Sequence, residues 1–141
     1  MKLLLAALVV LPMTARADAP ACKAGGAIMV EVDKRHDEKS VVDTKVFGAG
    51  GWIQHVVRGD LAEEHHGCLT ADQRAKLDRL VKSVPWKIET ARITCKAMSL
   101  DSTVYTVAGK SWTQRLCGAE HLDDKSAKAL AEIESIVSGL Q

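Results

Sequence analysis

The sequence predicts an α+β fold: an antiparallel sheet of about six strands with two amphipathic helices packed on one face. Three observations carry that expectation. Several segments alternate apolar and polar residues and are bounded by glycine or polar turns, the pattern of half-buried strands. Two longer stretches repeat their apolar residues at helical spacing behind a capping residue. Cys22, Cys68, Cys95 and Cys117 are widely spaced with no C-x-x-C pair, which in an exported chain favours two disulfides over a zinc knuckle or redox centre.

The elements follow in order. AIMVEVD (27–33) places Ile28, Val30 and Val32 on one face of a strand. KRHDEKS (34–40) reads as a polar connection and VVDTKVF (41–47) as the second strand. GAGG (48–51) accepts positive φ at little cost, so it closes a hairpin into WIQHVVR (52–58) and completes a three-strand meander. GDLAEEHHGC (59–68) reads as an acidic loop entering a helix, where negative charge suits the positive end of the helix dipole. Thr70 stands three residues before Gln73, the spacing of a capping box, and Leu77, Leu80, Val81 and Val84 form one apolar stripe that Pro85 ends. Trp86 is then placed to plug the helix end into the core.

The second half repeats this order. In TARITCKAM (90–98), Ala91, Ile93, Cys95 and Ala97 share a face, and TVYTV (103–107) turns into SWTQRLC (111–117). Pairing Val107 with Ser111 aligns Val104, Thr106, Trp112 and Leu116 with Cys95 and leaves Cys117 on the other side. Leu122 and Asp123 form a staple and N-cap for a closing helix whose stripe is Leu130, Ile133, Val137 and Leu140. The recurring β-β-β-α order leaves an internal duplication open. The face argument favours bridges from Cys68 to Cys95 and from Cys22 to Cys117.

The N-terminus sets the compartment. Lys2, an apolar run from Leu3 to Leu11, and Ala15-Arg16-Ala17 read as a cleaved secretory signal (1–17), with cleavage after Ala17 or Ala19 and one domain over 22–141. Ala19-Pro20-Ala21 lack the large aliphatic residue of a lipidation site, so Cys22 is expected in a disulfide and not under a lipid. The protein is expected in the periplasm or outside the cell. Loss of Lys2 and Arg16 turns the formal charge of +1 into −1, which gives no electrostatic reason to bind nucleic acid or anionic lipid.

Candidate chemistry centres on GDLAEEHHGC. A metal site needs three or four donors converging at about 2.0–2.3 Å. His65 and His66, adjacent in sequence, point apart in an extended chain, so further donors have to come from Glu63 or Glu64 or from His36, His55 or His121 elsewhere, best His121 at the matching entry to the second helix. Catalytic patterns are weaker still. Cys68 beside the histidines reads as a disulfide cysteine, and Glu63-Glu64 and Asp123-Asp124 flank helix starts. AGKS (108–111) lacks the first glycine of a phosphate loop and leads into a strand. No catalytic residue and no cofactor is expected. Trp52, beside Gly50 and Gly51, is the aromatic best placed to meet a protein partner, with His36 in the 34–40 connection as a second contact.

The glycine hairpin GAGG, the helix entry Gly67-Cys68-Leu69, the helix with Leu77 and Leu80, the Asp101–Tyr105 hairpin followed by Val107, and the closing helix together resemble emfourin-type inhibitors of secreted metalloproteases. The resemblance spans roughly residues 46–140, and the four cysteines depart from it. It implies a non-enzymatic exported binding module acting through hairpin tips, with a protease as partner. A divalent-metal-binding protein using His65 and His66 is the alternative.

Overall fold

A computed structural model describes residues 22–48, 50–91 and 99–138. Among these the order is β1 (Ile28–His36), β2 (Lys39–Phe47), β3 (Trp52–Val57), β4 (Glu63–Cys68), α1 (Ala71–Ser83), β5 (Ile88–Thr90), β6 (Asp101–Val107), β7 (Lys110–Arg115), β8 (Glu120–Leu122) and α2 (Asp124–Ser138). Six strands form one antiparallel sheet in the order β4-β3-β2-β1-β6-β7, and β5 pairs with β8 apart from it. The α+β class, the six-stranded sheet and the two helices match the sequence expectation. The signal segment and most of the strand expected over 90–98 lie outside the described residues.

The core sits on one face of the sheet. Val30 pairs with Val46 and Val107, Val46 with Ile53, and Val32 with Tyr105, which pairs with Trp112; directly opposed residues share a face, so these side chains form one apolar layer. Leu77 and Val81 of α1 and Leu130, Ile133 and Val137 of α2 cover that layer. Both helices begin as the sequence predicts. The Thr70 hydroxyl accepts from the Gln73 N–H at 3.2 Å while the Gln73 amide oxygen accepts from the Thr70 N–H at 2.9 Å. Asp123 Oδ1 accepts from the Ser126 N–H at 2.9 Å, and the bonds from Ser126 hold the Asp123 carboxyl below the usual carboxylate range.

Four expectations need correction. Residues 63–68 of the supposed helix-entry loop are a strand, β4, paired to β3 along its whole length. The 34–40 connection shrinks to a two-residue turn, Asp37 and Glu38, both at positive φ, with β1 and β2 extended on either side. In the β6–β7 hairpin Val107 pairs with Lys110 and not Ser111, because Ala108 and Gly109, at φ 52° and 76°, make the tight turn whose twist suits a two-residue hairpin. That shift of one residue turns the faces over: Tyr105 and Val107 are buried with Trp112, and Leu116 is 87% exposed.

The fourth correction is covalent. Cys22 is bonded to Cys68, with a Cα–Cα separation of 5.7 Å, which overturns both expected pairings. Cys68 ends the edge strand β4 and Cys117 lies just beyond the opposite edge strand, β7. Five strand spacings of roughly 4.8 Å put those edges about 24 Å apart, which leaves Cys117 out of reach of Cys68, and the bridge is made by the segment crossing the β3–β4 end of the sheet. Residues 22–27 are that segment, and a Cβ on Gly50 would stand 2.8 Å from the Lys23 carbonyl oxygen. Cys117 is also disulfide-bonded. The order of four strands and a helix does recur, but β6 and β7 extend the first sheet while β5 and β8 pair separately, so the halves build different sheets.

Candidate functional site

Among the described residues the two helices cover one face of the main sheet, and the β3–β4 margin of the other face holds Trp52 and His66 of the residues that sequence reasoning singled out. Phe47, Trp52 and Cys68 form one cross-strand row there, followed by Lys45, Gln54 and His66. The Trp52 indole stacks on the His66 ring with centroids 4.7 Å apart, and Phe47 lies 5.3 Å from Trp52. Glu64 ties the margin together: its Oε1 accepts from the Gln54 amide and bonds His66 Nε2 at 2.8 Å. The Gln54 bond first, and the His66 ring second, hold the Glu64 carboxyl below the usual range. The result is an amphipathic platform ending in an edge strand whose residues 63–66 are exposed.

A strand also separates neighbouring side chains, so His65 and His66 project to opposite faces. His65 lies on the helix-covered side beside its cross-strand partner His55, with ring centroids 6.5 Å apart. His55 Nδ1 is hydrogen-bonded to the buried Thr44 hydroxyl at 2.8 Å, and His65 Nε2 is 3.6 Å from Glu63 Oε2. His121 is on β8 in the small sheet, 3.6 Å from Glu89. The structure therefore brings His65 and Glu63 together, adds His55, and takes His66 and His121 elsewhere. Among the described residues no three His, Cys, Asp or Glu side chains stand ready to hold a metal ion.

The partner-contact residues are also divided. Trp52 is half-buried on the open platform. Gly51 is buried at φ +66°, where a Cβ would lie 3.2 Å from Leu69 and 3.3 Å from Arg74, and Gly50 lies against Lys23, so this hairpin tip is tied down by its own chain. His36 ends β1 at the far end of the sheet, roughly 25 Å away at the strand rise, and bonds Asp101 at 2.7 Å. Phe47 and Gln54 escaped sequence reasoning, and His55 entered it only as one of three distant histidines that a metal site could draw on. Reading DLAE as a hairpin turn would have exposed them, because alternate residues of β3 and β4 then fall into two opposed sets.

Two further polar groupings flank this site. On the open face Asp33 and Asp43 oppose each other across β1 and β2, an arrangement that like charges disfavour. Each carboxylate has its own cation, Arg35 at 2.6 Å and Lys45 at 2.7 Å, yet one oxygen of each is buried with no hydrogen-bond partner among the described residues. Between α2 and β7–β8 lies a cleft of about 270 Å³, where the Tyr105 hydroxyl donates to Glu134 Oε1 at 2.7 Å. Burial first, and the Glu134 carboxylate second, raise the Tyr105 pKa above that of a free phenol. The folded chain thus holds this proton more tightly than the unfolded chain does. Its contribution to stability is complete below the ordinary value of 10.0 and is lost as pH rises through the folded value. Chemical denaturation from pH 9 to 12 is expected to show stability falling less steeply in Tyr105→Phe than in the parent.

The architecture at the margin is an open platform and an edge strand, which can hold a partner by stacking, charge and backbone pairing. Compared with protein-family models, with curated proteins and with solved structures, the chain finds no match.

Proposed function

We propose that the chain is an exported, non-enzymatic binding module that takes an extended, basic segment of a protein partner alongside β4, next to the Trp52–His66 stack. One observation carries the reading: the two edges of the main sheet differ. At β7 the Thr113 N–H is taken by Glu120 Oε2 at 3.0 Å, whereas among the described residues nothing pairs with the outer side of β4. An unpaired edge offers alternate N–H and C=O groups to an added strand. Charge selects the partner, because residues 59–73 carry Asp60, Glu63, Glu64 and Asp72 with no lysine or arginine. Leu61, 84% exposed beside the edge, adds apolar area.

The Cys22–Cys68 bridge supports export, since such bonds persist in oxidising compartments. Cys117 is disulfide-bonded as well, which fits the same compartment. The resemblance to emfourin-type inhibitors favours a secreted protease as the partner. The direct test is titration with a β-forming peptide that alternates Lys or Arg with Val or Thr, followed by backbone amide shifts and Trp52 fluorescence. Micromolar binding is expected, lost in Glu63→Lys/Glu64→Lys and weakened in Trp52→Ala. Equal binding of acidic and basic peptides, or shifts that miss β4, would overturn the proposal.

A further inference from the structure

We infer that the cleft between α2 and β7–β8 binds a small organic cation with a flat apolar body, its charge held by the Glu120 and Glu134 carboxylates and its body by the rings of Tyr105 and Trp112. The cleft lies by β7, the edge of the main sheet opposite β4, so the inference stands apart from the peptide edge. Three observations carry it. First, the space and its lining suit such a molecule. A volume of about 270 Å³ equals that of about nine waters at roughly 30 Å³ each, near the lower end of small-molecule pockets, so the ligand is small. Tyr105 and Trp112, 7% and 3% exposed, form an aromatic wall in which the rings stack with centroids 5.4 Å apart. Leu122 and Leu130 extend that apolar surface.

Second, α2 keeps the space open. Ala127, Leu130, Ala131 and Glu134 fall at i, i+3, i+4 and i+7, one stripe of the helix, and all four line the cleft. Ala127 and Ala131 are exposed, so while Ile133 and Ile136 fill the core, this flank of α2 presents methyl groups and leaves the cleft unfilled. Third, the charge has one sign. Among the described residues the lining includes two carboxylates and no lysine or arginine. Glu134 Oε1 accepts from the Tyr105 hydroxyl at 2.7 Å and Glu120 Oε2 accepts from the Thr113 N–H at 3.0 Å, which fixes both side chains and leaves each its second oxygen for a ligand. His121 also lines the cleft, and its Nε2 stands 3.6 Å from Glu89. A cation beside these oxygens gains charge-assisted hydrogen bonds, and an aromatic ring within about 6 Å adds cation–π attraction. An anion would meet two like charges there, and a neutral ligand would gain the apolar contact alone.

Benzamidine, a flat ring carrying an amidinium, is the probe, and benzamide is its uncharged counterpart of nearly the same shape. Calorimetric titration of the intact, oxidised chain measures affinity, and NMR shifts of methyl and indole groups locate the ligand. One equivalent of benzamidine is expected to bind at submillimolar concentration and to shift Trp112 and the methyls of Ala127 and Ala131. Benzamide should bind about tenfold or more weakly, the share that a hydrogen bond to a charged group carries. Glu134→Gln keeps an acceptor for the Tyr105 hydroxyl while removing the charge, and should weaken benzamidine by about the same factor. Ala131→Leu fills the cleft from an exposed helix position where leucine is nearly as favourable as alanine, and should abolish binding. Glu132→Gln removes the same charge from α2 at the Lys76 contact, away from the cleft, and should bind as the parent does. Equal binding of benzamide, retained affinity in Ala131→Leu, an equal loss in Glu132→Gln, shifts confined to β4, or no binding at millimolar benzamidine would overturn the site.

Discussion

Joint replacement of Cys22 and Cys68 by alanine is expected to lower the unfolding free energy by about 4 kcal/mol, the loop-closure entropy of a loop of this length. The two residues are 46 apart in sequence, so the bridge closes a loop containing β1, β2, β3 and β4. Without it the unfolded chain regains that freedom, and the segment from Cys22 to Ala27 is left with few contacts across the sheet end. Lys23 would then no longer be held over Gly50 and the hairpin tip. Urea unfolding of the parent and the double variant measures the effect. A change below about 1 kcal/mol would mean that the bridge constrains little, since natural bridges in small exported domains contribute about 2 to 5 kcal/mol.

Trp86→Ala is expected to cost about 4 kcal/mol, in the range for emptying a buried aromatic site. Trp86 is 2% exposed and follows the end of α1 at φ +48°, a left-handed conformation that aims its indole back under the helix. Its ring N–H donates to the Val81 carbonyl at 3.0 Å, satisfying one of the last backbone groups of α1. The indole also stacks near Trp112, which stacks on Tyr105, so one residue joins α1 to β6 and β7. Trp86→Phe keeps most of the packing and loses the hydrogen bond, and should cost about 1 to 2 kcal/mol. Thermal unfolding of both variants separates the packing contribution from the polar one.

The parts of this fold that were legible are those in which side-chain pattern and buried face coincide. The capping box at Thr70, the N-cap at Asp123, the stripes through Leu77 and Leu130, and the alternation of Val30 and Val32 were readable because each marks an element that packs on the core. β4 was illegible for the same reason in reverse. Glu63, Glu64, His65 and His66 are all exposed, so no alternation marks them, and only backbone pairing to β3 makes them a strand. Polar residues on an edge also keep it from pairing indiscriminately, which hides a strand from any reading based on hydrophobic period. The β6–β7 register depended on the two-residue turn at Ala108-Gly109, and counting one residue too many exchanged Tyr105 and Val107 for Val104 and Thr106. The disulfide pairing failed as a consequence, since it was argued from those faces.

The histidine pair illustrates the same dependence. Adjacent residues His65 and His66 invite a joint reading, yet the strand sends them to opposite faces and gives each a different neighbour, His55 for one and Trp52 for the other. Nothing in local sequence marks His55 as a partner, because the contact is made across a hairpin.

Amide hydrogen exchange of the chain, alone and with the basic peptide bound, tests most directly whether β4 is the open edge on which the functional reading rests. Outward-facing amides between Glu63 and Cys68 should exchange freely in the unbound chain and slow by about tenfold or more on binding, with β7 unchanged, because a new strand ties up only the edge it joins. Slowing at β7 or at the Asp37–Glu38 turn, with β4 unaffected, would contradict the account.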